Sequence, residues 1–110
     1  MATNYKVLGQ INPTANTMTN AYSVPSATET VISTITVCNQ TSDNVSYSIA
    51  VVPNGITPTE DKHFIVRGGA VPAADAIGIT LGMTLDADDQ IRCNTNSSNV
   101  SFNIFGSEVS

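Results

Sequence analysis

Few residues in this chain are of types that do chemistry. His63, the one histidine, stands between Lys62 and Phe64, and the two cysteines, Cys38 and Cys93, are far apart. Covalent catalysis needs a nucleophile, a base and a group that orients the base. No Gly-x-Ser-x-Gly elbow supplies them, and a Cys–His dyad would have to be assembled by the fold alone. Thiol activation also needs an electropositive setting, which four Lys and Arg in 110 residues poorly provide. Zinc is disfavoured because one His and two distant Cys form no ligand cluster. Asp86, Asp88 and Asp89 gather oxygen ligands of the kind calcium takes. They lack the glycine and distal glutamate of a calcium loop, and Asp is an ordinary turn residue that bonds its own backbone. Gly68-Gly69, Gly78 and Gly82 match no phosphate-cradling fingerprint. The sequence therefore assigns no catalytic, cofactor-binding or metal-binding residue, and it reads as a protein that is not an enzyme.

Charge and length narrow the classes further. At 110 residues the chain is one domain, 1–110. Nine Asp and Glu against four Lys and Arg give a formal charge of −5, so no basic face is available for nucleic acid. No run nears the roughly 18 apolar residues of a membrane span. The start Met1-Ala2-Thr3-Asn4-Tyr5-Lys6 has no basic-then-apolar leader, which predicts synthesis in a cytoplasm, where thiols stay reduced. A Cys38–Cys93 disulfide is the competing expectation.

The elements that must position any site have a period of two. Val45, Tyr47, Ile49 and Val51 alternate with Ser46, Ser48 and Ala50; Val100, Phe102 and Ile104 alternate with Ser101 and Asn103. Ile77, Ile79 and Leu81 form a third set, and Val31, Ile35 and Val37 are expected to share a face opposite Thr34 and Thr36. Weaker strands follow from Tyr5–Ile11, Tyr22–Val24, His63–Arg67 (Phe64 and Val66 inward) and Gln90–Cys93. Turn residues separate them, and the longest irregular stretch is 53–62. About eight short strands and no helix predict an all-β fold: a single antiparallel β-sandwich or jelly roll.

One segment echoes another. Residues 38–49, CNQTSDNVSYSI, align without gaps to 93–104, CNTNSSNVSFNI. Two readings compete: an internally duplicated hairpin, or chance matching in a chain about one-third Ser, Thr and Asn.

Several runs resemble small virion structural proteins of tailed phages that infect cyanobacteria. They are Asn4–Gln10 (NYKVLGQ), Tyr22–Thr28 (YSVPSAT), Val37-Cys38-Asn39, Leu81–Asp89 (LGMTLDADD) and Ser101–Glu108 (SFNIFGSE), in this order. The resemblance implies a non-enzymatic structural or decoration protein bound in repeated copies to the capsid or tail. Its location would be the virion after synthesis in the host cytoplasm, and its partners other virion proteins and copies of itself. A surface of short side chains loses little entropy when packed, and scarce lysine suggests sheet edges covered in an assembly. Tyr5 in the N-terminal arm and Asn54, Ile56, Thr57, Glu60 and Asp61 in the 53–62 loop are the candidate contact residues. The alternative is a receptor- or glycan-binding module of a tail fibre or baseplate, with Tyr22 or Phe64 as the sugar platform.

Overall fold

Alternating sequences bury one face of each strand, and pairing two such faces makes the core. The computed structural model describes residues 3–57, 59–80 and 82–110; Leu81, the last member of its alternation, lies outside them, as do Pro58, Met1 and Ala2. Nine strands form: β1 (Thr3–Ile11), β2 (Thr19–Ser23), β3 (Glu29–Asn39), β4 (Val45–Val52), β5 (Phe64–Val71), β6 (Ala76–Ile79), β7 (Met83–Leu85), β8 (Gln90–Thr95) and β9 (Val100–Val109). One more is present than the alternation predicts, because three-residue β7 is too short to show a period. Short 3₁₀ turns at Pro53–Gly55 and Asp61–His63 are the helical elements of the described residues.

The strands divide into two antiparallel sheets. The first runs β1-β9-β3-β6, with β7 beside β6 along the same edge of β3; the second runs β2-β8-β4-β5. The order follows from one nested hairpin. Ala50 faces Phe64, Thr30 faces Leu85, Thr19 faces Cys93 and Thr3 faces Val109, each pair enclosing the previous one. Rolling this long hairpin brings β9 against β3 and β8 against β4, which closes both sheets. That is a jelly roll. Phe102, Ile35, Ile49, Ile91 and Ile104 meet between the sheets with no solvent exposure.

Two expectations need correction. Val31 does not share a face with Ile35 and Val37. A bulge between Ile32 and Thr34 inserts an extra residue opposite β9 and reverses the phase. Ile32 is therefore buried and Val31 is 42% exposed. Nor are the echoed segments hairpins: β3 does not pair with β4, nor β8 with β9, and each segment carries the chain from one sheet to the other. Their registers differ as well. Cys38 lies opposite Ser101, whereas Cys93 lies opposite Ile49. Asn39 is 2% exposed, donates to the Asp43, Val71 and Pro72 carbonyls at 2.8–3.2 Å and accepts from Thr41 N–H and Oγ1. Its echo Asn94 has a buried Oδ1 with no partner among the described residues.

The edges are broken rather than left open. β1 is bulged between Val7 and Gly9, β2 between Asn20 and Tyr22, and register shifts interrupt the β4–β5 ladder. The fourth edge is divided into β6 and β7. Lys6 lies on β1, and Lys62 lies in the turn before β5. Irregularity interrupts these edges where lysine is scarce.

The thiols occupy different environments. Cys93 points into the core with no exposure, whereas Cys38, on β3 between buried Val37 and Asn39, faces outward and is half-buried; both are free. Burial pushes the Cys93 thiol up to about 12. A native-state assay with an aromatic disulfide reagent is expected to modify Cys38 alone and reach Cys93 only on unfolding. Two equally fast thiols would contradict this placement.

Candidate functional site

Five of the six candidate contact residues lie on the 53–63 connection, and the fold gives that connection a structural task. It follows β4 and turns back over the outer face of the second sheet, where Ala50 and Val52 are buried although they point away from the core. Asn54 takes a left-handed φ of 57°, which Asn tolerates, and its N–H donates to Asp89 Oδ1 at 3.0 Å. Glu60 and His63 cap each other: Glu60 N–H donates to His63 Nδ1 at 2.9 Å, and His63 N–H to the Glu60 carbonyl at 3.0 Å. Asp61 pairs with Arg67 in the open, where such a pair adds little. The side chains of Asn54, Ile56, Thr57, Glu60 and Asp61 are left exposed. The strap is thus pinned at both ends and presents its outer surface.

Tyr5 is not brought to this strap. It stands on the outer face of the first sheet, 85% exposed. Ser107 separates it from Val31 across the ladder, and Phe105 separates Val7 from Thr34 in the same way. Tyr5, Val7 and Val31 therefore form an apolar area on one sheet face, with Val7 47% and Val31 42% exposed.

The other chemically able groups are dispersed. His63 is buried at the end of the strap, Cys93 is in the core and Cys38 is outside the first sheet. The Asp86–Asp89 segment is a turn in which Asp89 Oδ2 accepts from Asp86 N–H and Asp86 Oδ1 from Ala87 N–H. Among the described residues, no three His, Cys, Asp or Glu are grouped to hold a metal. Tyr22 corrects the sugar-platform expectation. It is 7% exposed, and its hydroxyl bonds Glu108 Oε2 at 2.5 Å and Thr30 Oγ1 at 2.8 Å. Phe64 does not point inward with Val66: a register shift sets it opposite outward-pointing Ala50, where it is half-buried with the Arg67 guanidinium 4.9 Å from its ring centre.

That Tyr22 cluster closes the sandwich at the end where β1 begins and β9 finishes. Lys6 Nζ reaches Glu108 Oε1 at 2.7 Å. The Lys6 bond, then the Tyr22 bond, hold the Glu108 carboxyl below its ordinary value of 4.5. Burial, reinforced by Glu108, pushes the Tyr22 hydroxyl up to about 12. A lowered folded value for Glu108 gives stability that is complete above pH 4.5 and fades as pH falls through the folded value. A raised value for Tyr22 gives stability that is complete below pH 10 and fades as pH rises towards 12. Glu108→Gln is expected to flatten the acid limb of a denaturation-midpoint profile; an unchanged limb would remove Glu108 from the account.

Sequence reasoning missed Arg92. It lies on β8 between the core positions Ile91 and Cys93, points outward and is nonetheless 7% exposed. The strap accounts for this, since Arg92 Nη1 donates to Thr59 Oγ1 at 2.8 Å. Gln90 Oε1 accepts from Nε at 3.0 Å and from Nη2 at 2.8 Å. A cleft of about 490 Å³ opens here, lined by Met18, Asn20, Gly55, Thr57, Thr59, Gln90 and Arg92. A cation placed between two core residues was the available signal. What covers it was not visible.

No protein-family model and no curated protein matches the chain. The fold and the two surfaces define it as a single jelly-roll domain with an apolar sheet face and a strapped polar cleft.

Proposed function

We propose that this jelly roll is a non-enzymatic structural protein of a tailed-phage virion, mounted in repeated copies on the capsid or tail. The observation that carries this reading is the in-register apolar area of Tyr5, Val7 and Val31 on an otherwise ordinary sheet face. Exposed apolar side chains gathered on one face suit burial against a neighbour. Jelly rolls serve capsids and lectins alike, and fold alone assigns neither role. The strap residues Ile56 and Thr57 are the second contact in this reading. Deleting 53–62 would uncover Ala50, Val52 and Arg92 and so would test folding before it tested assembly.

The deciding experiment uses purified particles carrying either the native chain or a Tyr5→Ser/Val31→Thr double variant. Cryo-electron microscopy gives position, and quantitative mass spectrometry gives copy number. Many copies in the symmetry of the shell or tail, reduced for the double variant at unchanged melting temperature, is the expected result. Absence of the native chain from particles would overturn the reading. The alternative role, a receptor- or glycan-binding module, is favoured by the Arg92 cleft alone.

A further inference from the structure

We infer that the cleft beside Arg92 is a binding site for a carboxylate-bearing sugar, with the guanidinium as the group that recognises the acid. Buried arginines are almost always paired, because an uncompensated charge away from water is costly. Arg92 is 93% buried by its 7% exposure. Among the described residues no carboxylate pairs with it; the two ion pairs present are Lys6–Glu108 and Arg67–Asp61. Its partners are neutral: Gln90 Oε1 takes Nε and Nη2, and Thr59 Oγ1 takes Nη1. Guanidinium has five N–H groups, so among the described residues one on each terminal nitrogen has no partner. Such donors are the groups that bond a carboxylate oxygen.

The surroundings select within the acids. The cleft holds about 490 Å³, room for one or two sugar rings. Hydroxyl and amide groups of Thr57, Thr59, Asn20 and Gln90 line it, as ring hydroxyls require, with Met18 as the apolar contact. Gly55, at φ 61°, lies so close to Gln90 that a Cβ would stand 3.1 Å from its Nε2. Gly55 therefore lets the strap lie against the amide that orients Arg92. Among the described residues no aromatic ring lines the cleft, so recognition rests on the charge-assisted bonds. This inference is independent of where the domain is mounted, and it stands or falls without particles.

The test is a ¹⁵N-correlation titration of the native chain with sodium D-glucuronate, with D-glucose and sodium phosphate as matched probes. Millimolar binding is expected for a single charged ring, with shifts confined to residues around 18–20, 55–59 and 90–92. Glucose should produce none of these shifts, and phosphate should bind at least several-fold more weakly than glucuronate. Arg92→Gln is expected to weaken glucuronate by roughly ten-fold or more, as loss of charge-assisted bonds predicts. Thr57→Val, an exposed rim change that keeps Arg92 and its partners, covers the case in which Arg92→Gln fails to fold, and should weaken glucuronate several-fold. Absence of glucuronate shifts, equal response to glucose, or phosphate binding as tight as glucuronate would each overturn the inference.

Discussion

Gly106→Ala is expected to be the most damaging single-atom addition in the domain. Gly106 lies in β9 at the centre of the first sheet, between Lys6 of β1 and Ile32 of β3. A Cβ there would collide with the Val31 carbonyl and stand 3.1 Å from Ile32 Cα and from Leu8 Cδ1. Two of those three neighbours are backbone, so no side-chain rotation relieves the clash. The reason for the crowding is the bulge beside it. β3 advances an extra residue between Ile32 and Thr34 opposite Gly106 and Phe105, which drives its backbone onto β9. Opening the strands to admit a methyl would break ladder bonds on both sides of β9. Overpacking of side chains costs about 1–3 kcal/mol; against backbone in a central ladder the cost is expected to exceed roughly 3 kcal/mol. A domain of this size has about 5–15 kcal/mol in total. Urea denaturation should show the midpoint falling sharply with the slope retained. A loss under about 1 kcal/mol would mean that β3 and β9 separate freely here, and that the bulge is not fixed by the pairing.

The same bulge explains what the amino-acid pattern could reveal. Where a strand runs without interruption, alternation read the core correctly: Val45, Tyr47 and Ile49 of β4 and Val100, Phe102 and Ile104 of β9 are all buried. Where an extra residue intrudes, a local rule has no means of detecting the change of phase, because the extra residue is recognised only by its pairing with the neighbouring strand. Val31 and Ile32 differ by a methylene, yet the pairing puts one outside and one in the core. The echo failed for a related reason. Like strings made like arches, each passing from one sheet to the other, but strand partners set the register and hydrogen bonds.

The surface was legible in part. The sequence marks 53–62 as irregular, and its side chains at 54, 56, 57, 60 and 61 are exposed. That the backbone beneath them covers Arg92 depends on Thr59 meeting a residue 33 positions away. Sequence distance of this order hides sites made by loops folding onto sheets. Tyr22, a candidate sugar platform by type, is instead held by Glu108, 86 positions distant. Acidic turns, by contrast, were readable, since Asp86 and Asp89 bond groups within three residues of themselves.

Phe102→Ala tests whether the two sheets form one cooperative unit. Phe102 points from β9 into the sandwich with no exposure, and its ring lies 6.4 Å from that of Tyr47 on β4, tilted by 57°. It therefore touches both halves of the rolled hairpin: β9 is bonded to β1 and β3, while β4 belongs to the other sheet. Truncation removes most of a large side chain from a site that cannot collapse, because Ile35, Ile49 and Ile104 are held by their own ladders. Such changes cost about 3–5 kcal/mol, from lost burial and from the cavity left behind. The tilted ring pair adds about 0.5–1.5 kcal/mol. Calorimetry should give one transition at a lower temperature, with van't Hoff and calorimetric enthalpies still equal. Two separated transitions would show that the sheets unfold independently. Phe102→Leu, which keeps most of the volume, should recover the larger part of the loss. If it does not, the tilted contact with Tyr47 outweighs simple filling of the core. Gly106 and Phe102 thus probe different joints: the first holds neighbouring strands in register, the second holds sheet to sheet. Their effects should add, since Gly106 meets β3 and Leu8 and Phe102 meets Tyr47.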